Sequence, residues 1–224
     1  MGPHHTAWTL EGWVEYVFDR PVAAPEWWFG FGEELPADPP PADAVAFVTR
    51  LCERADALLA PYSNAQVNQG LWYLVGSGAS GLTLATRDGG VPARSWIDCV
   101  RAFGALFARL FAPRCSPHLG HLDEPGTDPL NSACYMWWDL VPLPALPDPP
   151  ARAALDAACL AVMGETLGLA ADACRESALH GLGHWQRHDP RRVAAIVDRF
   201  LAATPGLRPE LRAYALAARS GCVL

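Results

Sequence analysis

Two histidines four residues apart, His180 and His184, fall in a segment with helical character that runs from Asp172 past Trp185. That spacing stacks both imidazoles on one helix face, where together they can grip one metal ion. A second pair, His118 and His121, lies in Ser116-Pro117-His118-Leu119-Gly120-His121-Leu122-Asp123-Glu124, with Cys115 just before it. Brought together by the fold, His118, His121, His180 and His184 would make a His-rich site for zinc, iron or manganese. Nothing in the spacing unites the two pairs. The simpler expectation is no cofactor, with His180 and His184 packing between helices and Glu176 pairing His180 locally. On a helical wheel Glu176, His180, His184 and Arg187 share a polar face, which then reads as a partner-binding surface.

Other chemistries fare worse. Gly76-Ser77-Gly78-Ala79-Ser80-Gly81 matches the dinucleotide fingerprint GxGxxG by letter. Such a loop must open directly into a long helix whose N-terminus holds the pyrophosphate. Here Arg87-Asp88-Gly89-Gly90 and Pro92 follow within a few residues, so a loop between helices is expected. Ser77 and Ser80 also miss the Gly-x-Ser-x-Gly elbow of hydrolases. All 17 basic residues are Arg, so Schiff-base and Walker-type lysines are excluded. The seven Cys form no Cys-x-x-Cys pair and read as reduced, mostly buried thiols.

Trp is unusually frequent, with nine residues that include Trp27-Trp28 and Trp137-Trp138. Gap filling between irregular helices is the ordinary role. Trp27, Trp28, Phe29 and Phe31 could instead present an aromatic anchor to a protein or peptide partner.

The elements that must position these residues are helices. Apolar residues recur at helical spacing in residues 9–19, capped by Thr9, and again along Val45, Val48, Cys52, Ala55 and Leu59. Ser63 can cap a helix over about 64–75, and a strong helix is expected over 93–111. A shorter helix should cover 131–140. Residues 71–75 and 82–86 could be extended. Pro-rich connectors at 36–41 and 142–150 punctuate the chain, and residues 112–129 form a loop with Pro, His and acids. After Pro150 Ala-rich helices follow at about 151–167, 171–187, 190–203 and 208–219, with links so short that neighbours should be antiparallel.

The run Asp172-Ala173-Cys174-Arg175-Glu176-Ser177-Ala178-Leu179-His180-Gly181-Leu182-Gly183 resembles the second helix of HEAT-like repeats of the phycobilisome-lyase type. Asp189-Pro190-Arg191-Arg192-Val193 resembles the loop and first helix of the next repeat, and Arg212-Ala213-Tyr214-Ala215-Leu216 its second helix. The likeness is close over residues 172–219. It implies an all-α fold of stacked antiparallel hairpins, an HEAT/ARM-like α-solenoid or compact superhelix. On this reading residues 1–224 form one helical domain. Residues 1–36 hold the first helix and the aromatic loop, 42–141 irregular helical pairs, and 151–224 the repeats. The function this fold implies is a non-enzymatic protein- or peptide-binding scaffold. A metal-dependent or small-molecule-modifying enzyme built on the His-rich site is the alternative.

Composition bounds these readings. Apolar residues reach 51% and charged residues 18%, enough to bury a core in 224 residues. The net charge of −7 argues against a nucleic-acid partner. Residues 187–224 nevertheless carry seven Arg against three acids. No apolar run reaches membrane-spanning length. A bacterial origin and a cytoplasmic location are expected from the Arg-only, Ala- and Pro-rich composition and the unpatterned thiols.

Overall fold

Side-chain caps set where five of the described helices start. The Thr9 side chain accepts from Gly12 N and opens α1, Leu10–Phe18. After a 3-10 turn at Trp27–Phe29 come α2, Pro41–Glu53, and α3, Ala55–Leu58. Ser63 and Gln66 form a reciprocal capping box for α4, Asn64–Gly76. Ser80 caps the short α5, Gly81–Ala85. The long helix α6, Ala93–Leu106, continues through a π segment, Phe107–Phe111, into α7, Ala112–Arg114. A 3-10 turn at Gly120–Leu122 precedes α8, Leu130–Tyr135, and α9, Trp137–Leu140. Asp148 caps α10, Pro149–Thr166, and α11 spans Asp172–Trp185. Asp189, followed by Pro190 at the first helical position, caps α12, Pro190–Ala203; α13, Pro209–Ser220, ends at left-handed Gly221.

The computed structural model describes residues 8–29, 38–78 and 80–223. Among these residues every regular element is helical, which bears out the all-α reading. Residues 71–75 belong to α4 and 82–85 to α5, with Thr86 as the α5 C-cap, although an extended form was open for both stretches. The reason is local: the Ser80 hydroxyl accepts from Thr83 N and donates to Leu74 O, so it caps one helix while tying down the other. Phe31 and the first two residues of the Pro-rich linker, as well as Ala79 of the glycine loop, lie outside the described residues.

The helices pack as neighbours in two rows. In one, α2 lies against α6, α6 against α10, and α10 against α12. In the other, α4 lies against α8, α8 against α11, and α11 against α13. Cross-row contacts join α10 to α11 and α12 to α13. Helix α11 therefore has neighbours on nearly every side, and α9 and the π segment touch it as well. Its small residues permit this crowding. A Cβ on Gly181 would sit 2.7 Å from both Met163 Sδ and Trp138 Cβ. Gly181→Ala should accordingly lower stability by about 1–3 kcal/mol through overpacking, read as a lower urea midpoint with an unchanged slope.

Burial on all sides corrects the wheel reading of α11. Glu176 and His180 are each 1% exposed, so neither belongs to a partner-binding surface. Only His184 and Arg187 of the expected polar face reach solvent. The aromatic loop is also largely turned inward. Trp27 packs on Tyr73 with ring centroids 4.6 Å apart, and the Arg20 guanidinium lies 4.7 Å over the rings of Tyr16 and Trp27. Trp28 contacts Tyr73 as well, while Phe29 is exposed.

Candidate metal centre

Two successive turns of α11 aim His180 and His184 toward the same point, and α9 brings Asp139 to it. His180 Nε2 lies 2.9 Å from Asp139 Oδ2, and His184 Nε2 lies 3.0 Å from Asp139 Oδ1. The two Nε2 atoms are 3.3 Å apart. One ligand atom from each of the three residues fits within 4.8 Å of the others. His180 is buried, whereas the His184 side chain is 45% exposed and that of Asp139 23%. The cluster thus has a closed back and an open front.

His180 Nε2 donates to the Asp139 carboxylate, and His184 Nε2 stands within hydrogen-bond reach of His180 Nε2, donor and acceptor being set by the tautomers. A cation at the shared point would meet both Nε2 lone pairs and a carboxylate oxygen. The protonation state of His180 suits that role. Burial pushes its pKa down, against the pull of the Asp139 carboxylate, so the imidazole is neutral at pH 7 and able to ligate.

Behind His180 stands a tyrosine pair. His180 Nδ1 is 2.6 Å from Tyr214 Oη, and Tyr214 Oη is 3.1 Å from Tyr135 Oη. Burial and its partner Tyr135 raise the Tyr214 pKa, so its hydroxyl stays protonated. When Nε2 ligates an ion, the proton must sit on Nδ1, and the Tyr214 oxygen is placed to accept it. The Tyr135 ring closes one flank of His180 at 4.4 Å between centroids. Tyr214→Phe should weaken zinc binding about 10–100-fold with the helical fold retained, as measured by competition with a chromophoric chelator.

The second histidine pair goes elsewhere. His121 Nδ1 donates to Glu176 Oε1 at 2.5 Å, and its ring stacks on Tyr214 at 4.2 Å. Gly120 N and His121 N donate to the same carboxylate at 2.8 and 3.0 Å. His118 Nδ1 instead bonds Ser116 Oγ at 2.9 Å. Asn131 fixes this loop by accepting from Ser116 N and donating to the carbonyls of Ser116 and His118. The four-histidine site therefore does not assemble: Asp139 completes the His180–His184 pair, and His121 reaches the cluster only through Tyr214. The expected local Glu176–His180 pair is likewise replaced, by His121 for Glu176 and Asp139 for His180.

Asp139 and Tyr214 were not singled out by sequence reasoning. The signal for Asp139 was slight, one carboxylate closing the apolar run Tyr135-Met136-Trp137-Trp138. Nothing marked Tyr214. Burial pushes the thiols of Cys99 and Cys159 up to about 12 and those of Cys52 and Cys134 well up too, so none of these four competes as a nucleophile. No helix among the described residues is long and apolar enough to cross a membrane. The chain matches no protein-family model, no curated protein and no solved structure.

Proposed function

We propose that the chain is a metal-dependent enzyme in which Asp139, His180 and His184 hold one divalent cation and leave its outer side open to a small substrate. The observation that carries this reading is that the two Nε2 atoms stand 3.3 Å apart, each within 3.0 Å of a different oxygen of the one Asp139 carboxylate, with one ligand atom from each residue within 4.8 Å of the others. Ligands bound at about 2.0–2.1 Å to a tetrahedral zinc ion stand about 3.3 Å from each other. Three protein ligands with a free position is the arrangement of catalytic rather than structural zinc. Two imidazoles and a carboxylate also suit ferrous iron or manganese. The chemistry such a centre supplies is attack by metal-activated water on a polarised carbonyl or phosphoryl group. Tyr214 and Tyr135 orient His180, and exposed His184 and Asp139 meet the substrate side.

Metal analysis of untagged protein, dialysed separately against zinc, manganese and ferrous iron, tests the reading. One ion per chain is expected for wild type, and none for Asp139→Ala. Wild-type protein without a stoichiometric ion under all three conditions overturns it.

A scaffold role has its own support. The two-row packing fits the stacked hairpins of a HEAT-like array, and a groove of about 410 Å³ runs between α10 and α12, lined in part by Glu165, Arg192 and Arg199. Such a surface suits an extended peptide. Specific retention of one partner, lost on Arg199→Glu but kept on Asp139→Ala, would place function there.

A further inference from the structure

The segments that build the metal centre also run on into a neighbouring hollow. Asp139 ends on the short α9, and four residues later Leu143 and Pro144 form one wall of a cleft of about 320 Å³. The start of α10 adds Leu155, Arg152 and Asp156. The end of α11 adds Trp185 and, as a shared wall, the ligand His184. We propose that this cleft is the substrate pocket of the centre and takes a small molecule with an oxygen-donor head and an apolar group of about phenyl size. The inference rests on the metal reading.

Size and chemistry select that class. About 320 Å³ is at the low end of the roughly 300–1,000 Å³ of small-molecule sites, too little for a folded partner. Leu143, Pro144, Leu155 and Trp185 offer apolar surface, and Leu155 is 3% exposed. Arg152 and Asp156 bring opposite charges one helical turn apart, and His188 adds a polar wall beside His184. The Arg152 guanidinium is also preoccupied: its Nε and Nη2 donate to Leu146 O at 3.1 and 3.0 Å. That pair of bonds pins the connector carrying Leu143 and Pro144 to α10. Selection then falls to the apolar walls, with the head group fixed by the ion beside His184.

Cobalt(II)-loaded full-length chain, titrated with benzohydroxamate and with acetohydroxamate, tests this. The two probes share a metal-binding head and differ in the apolar group. Burying the phenyl ring should make benzohydroxamate bind at least about tenfold more tightly, read from the shift of the cobalt visible band. Leu143→Asp, at a half-buried position, should abolish that preference while leaving acetohydroxamate affinity and the cobalt spectrum unchanged. Trp185→Ala should reduce it in the same way. Equal affinities in wild type, or a preference that survives both substitutions, overturn the pocket while the metal centre stands. Failure to bind cobalt at all overturns both.

Discussion

His180→Ala should abolish tight metal binding, with the zinc dissociation constant rising by more than about a hundredfold. Loss of an outer partner alone costs about 10–100-fold, and a ligand contributes more than its partner does. Among the three residues His180 matters most because it is preorganised. It is 1% exposed and held from behind by Tyr214, so little side-chain freedom remains to be lost on binding. His184 is far more exposed, and its substitution should cost less. A thermal readout gives an independent check. Zinc at about 100 times its dissociation constant stabilises the native state by about 2.7 kcal/mol, or about 5–11 °C in Tm for a chain of this size. Wild type should show that shift and His180→Ala should not. A variant that keeps zinc affinity within about threefold of wild type removes His180 from the ligand set.

How far the centre could be read from sequence depends on distance along the chain. His180 and His184 are neighbours by helical geometry alone, so the i, i+4 spacing reported them directly. Asp139 is 41 residues away from His180, and its approach depends on how α9 docks against α11. No periodicity encodes that docking. The helices themselves were legible because their caps are local: Thr9, Ser63 and Asp189 each bond an amide within three residues. Pro190 was equally informative, since a proline at the first helical position stands just where an amide has no helical partner. The polar face drawn for α11 failed for a different reason. Six of its 14 residues are Ala, Gly, Ser or Cys, which fit a crowded interior as easily as a surface. A wheel assigns faces by contrast, and this helix has little. Glu176 was placed outside for its charge, yet charge is compatible with burial wherever enough donors converge.

That convergence supports the second large effect. Glu176→Ala should destabilise the protein by about 3–5 kcal/mol, since several buried donors lose their acceptor at about 1–3 kcal/mol apiece. The carboxylate is 1% exposed and receives three N–H groups, from Gly120 N, His121 N and His121 Nδ1. Alanine leaves two backbone amides and an imidazole without an acceptor, and each such group carries its own desolvation penalty. Glu176→Gln should also be costly, despite its matching shape. One side-chain oxygen can serve both His121 donors, but the amide NH2 then meets the Gly120 N–H, donor against donor. The loss should begin locally. Amide exchange at Gly120 and His121 should quicken before that of α10, because these bonds tie the Gly120–Leu122 turn to α11. The metal centre feels the change through the Glu176 charge, which acts on His180, and through a ring contact. The His121 ring stacks on Tyr214 at 4.2 Å, and Tyr214 orients His180. Zinc affinity in Glu176→Gln should therefore fall, and to a smaller degree than in Tyr214→Phe, where the hydroxyl itself is gone. Unchanged denaturation midpoints for both Glu176 variants would show that the three donors find other acceptors, and the chain of contacts from Glu176 to the ion would be broken at its first link.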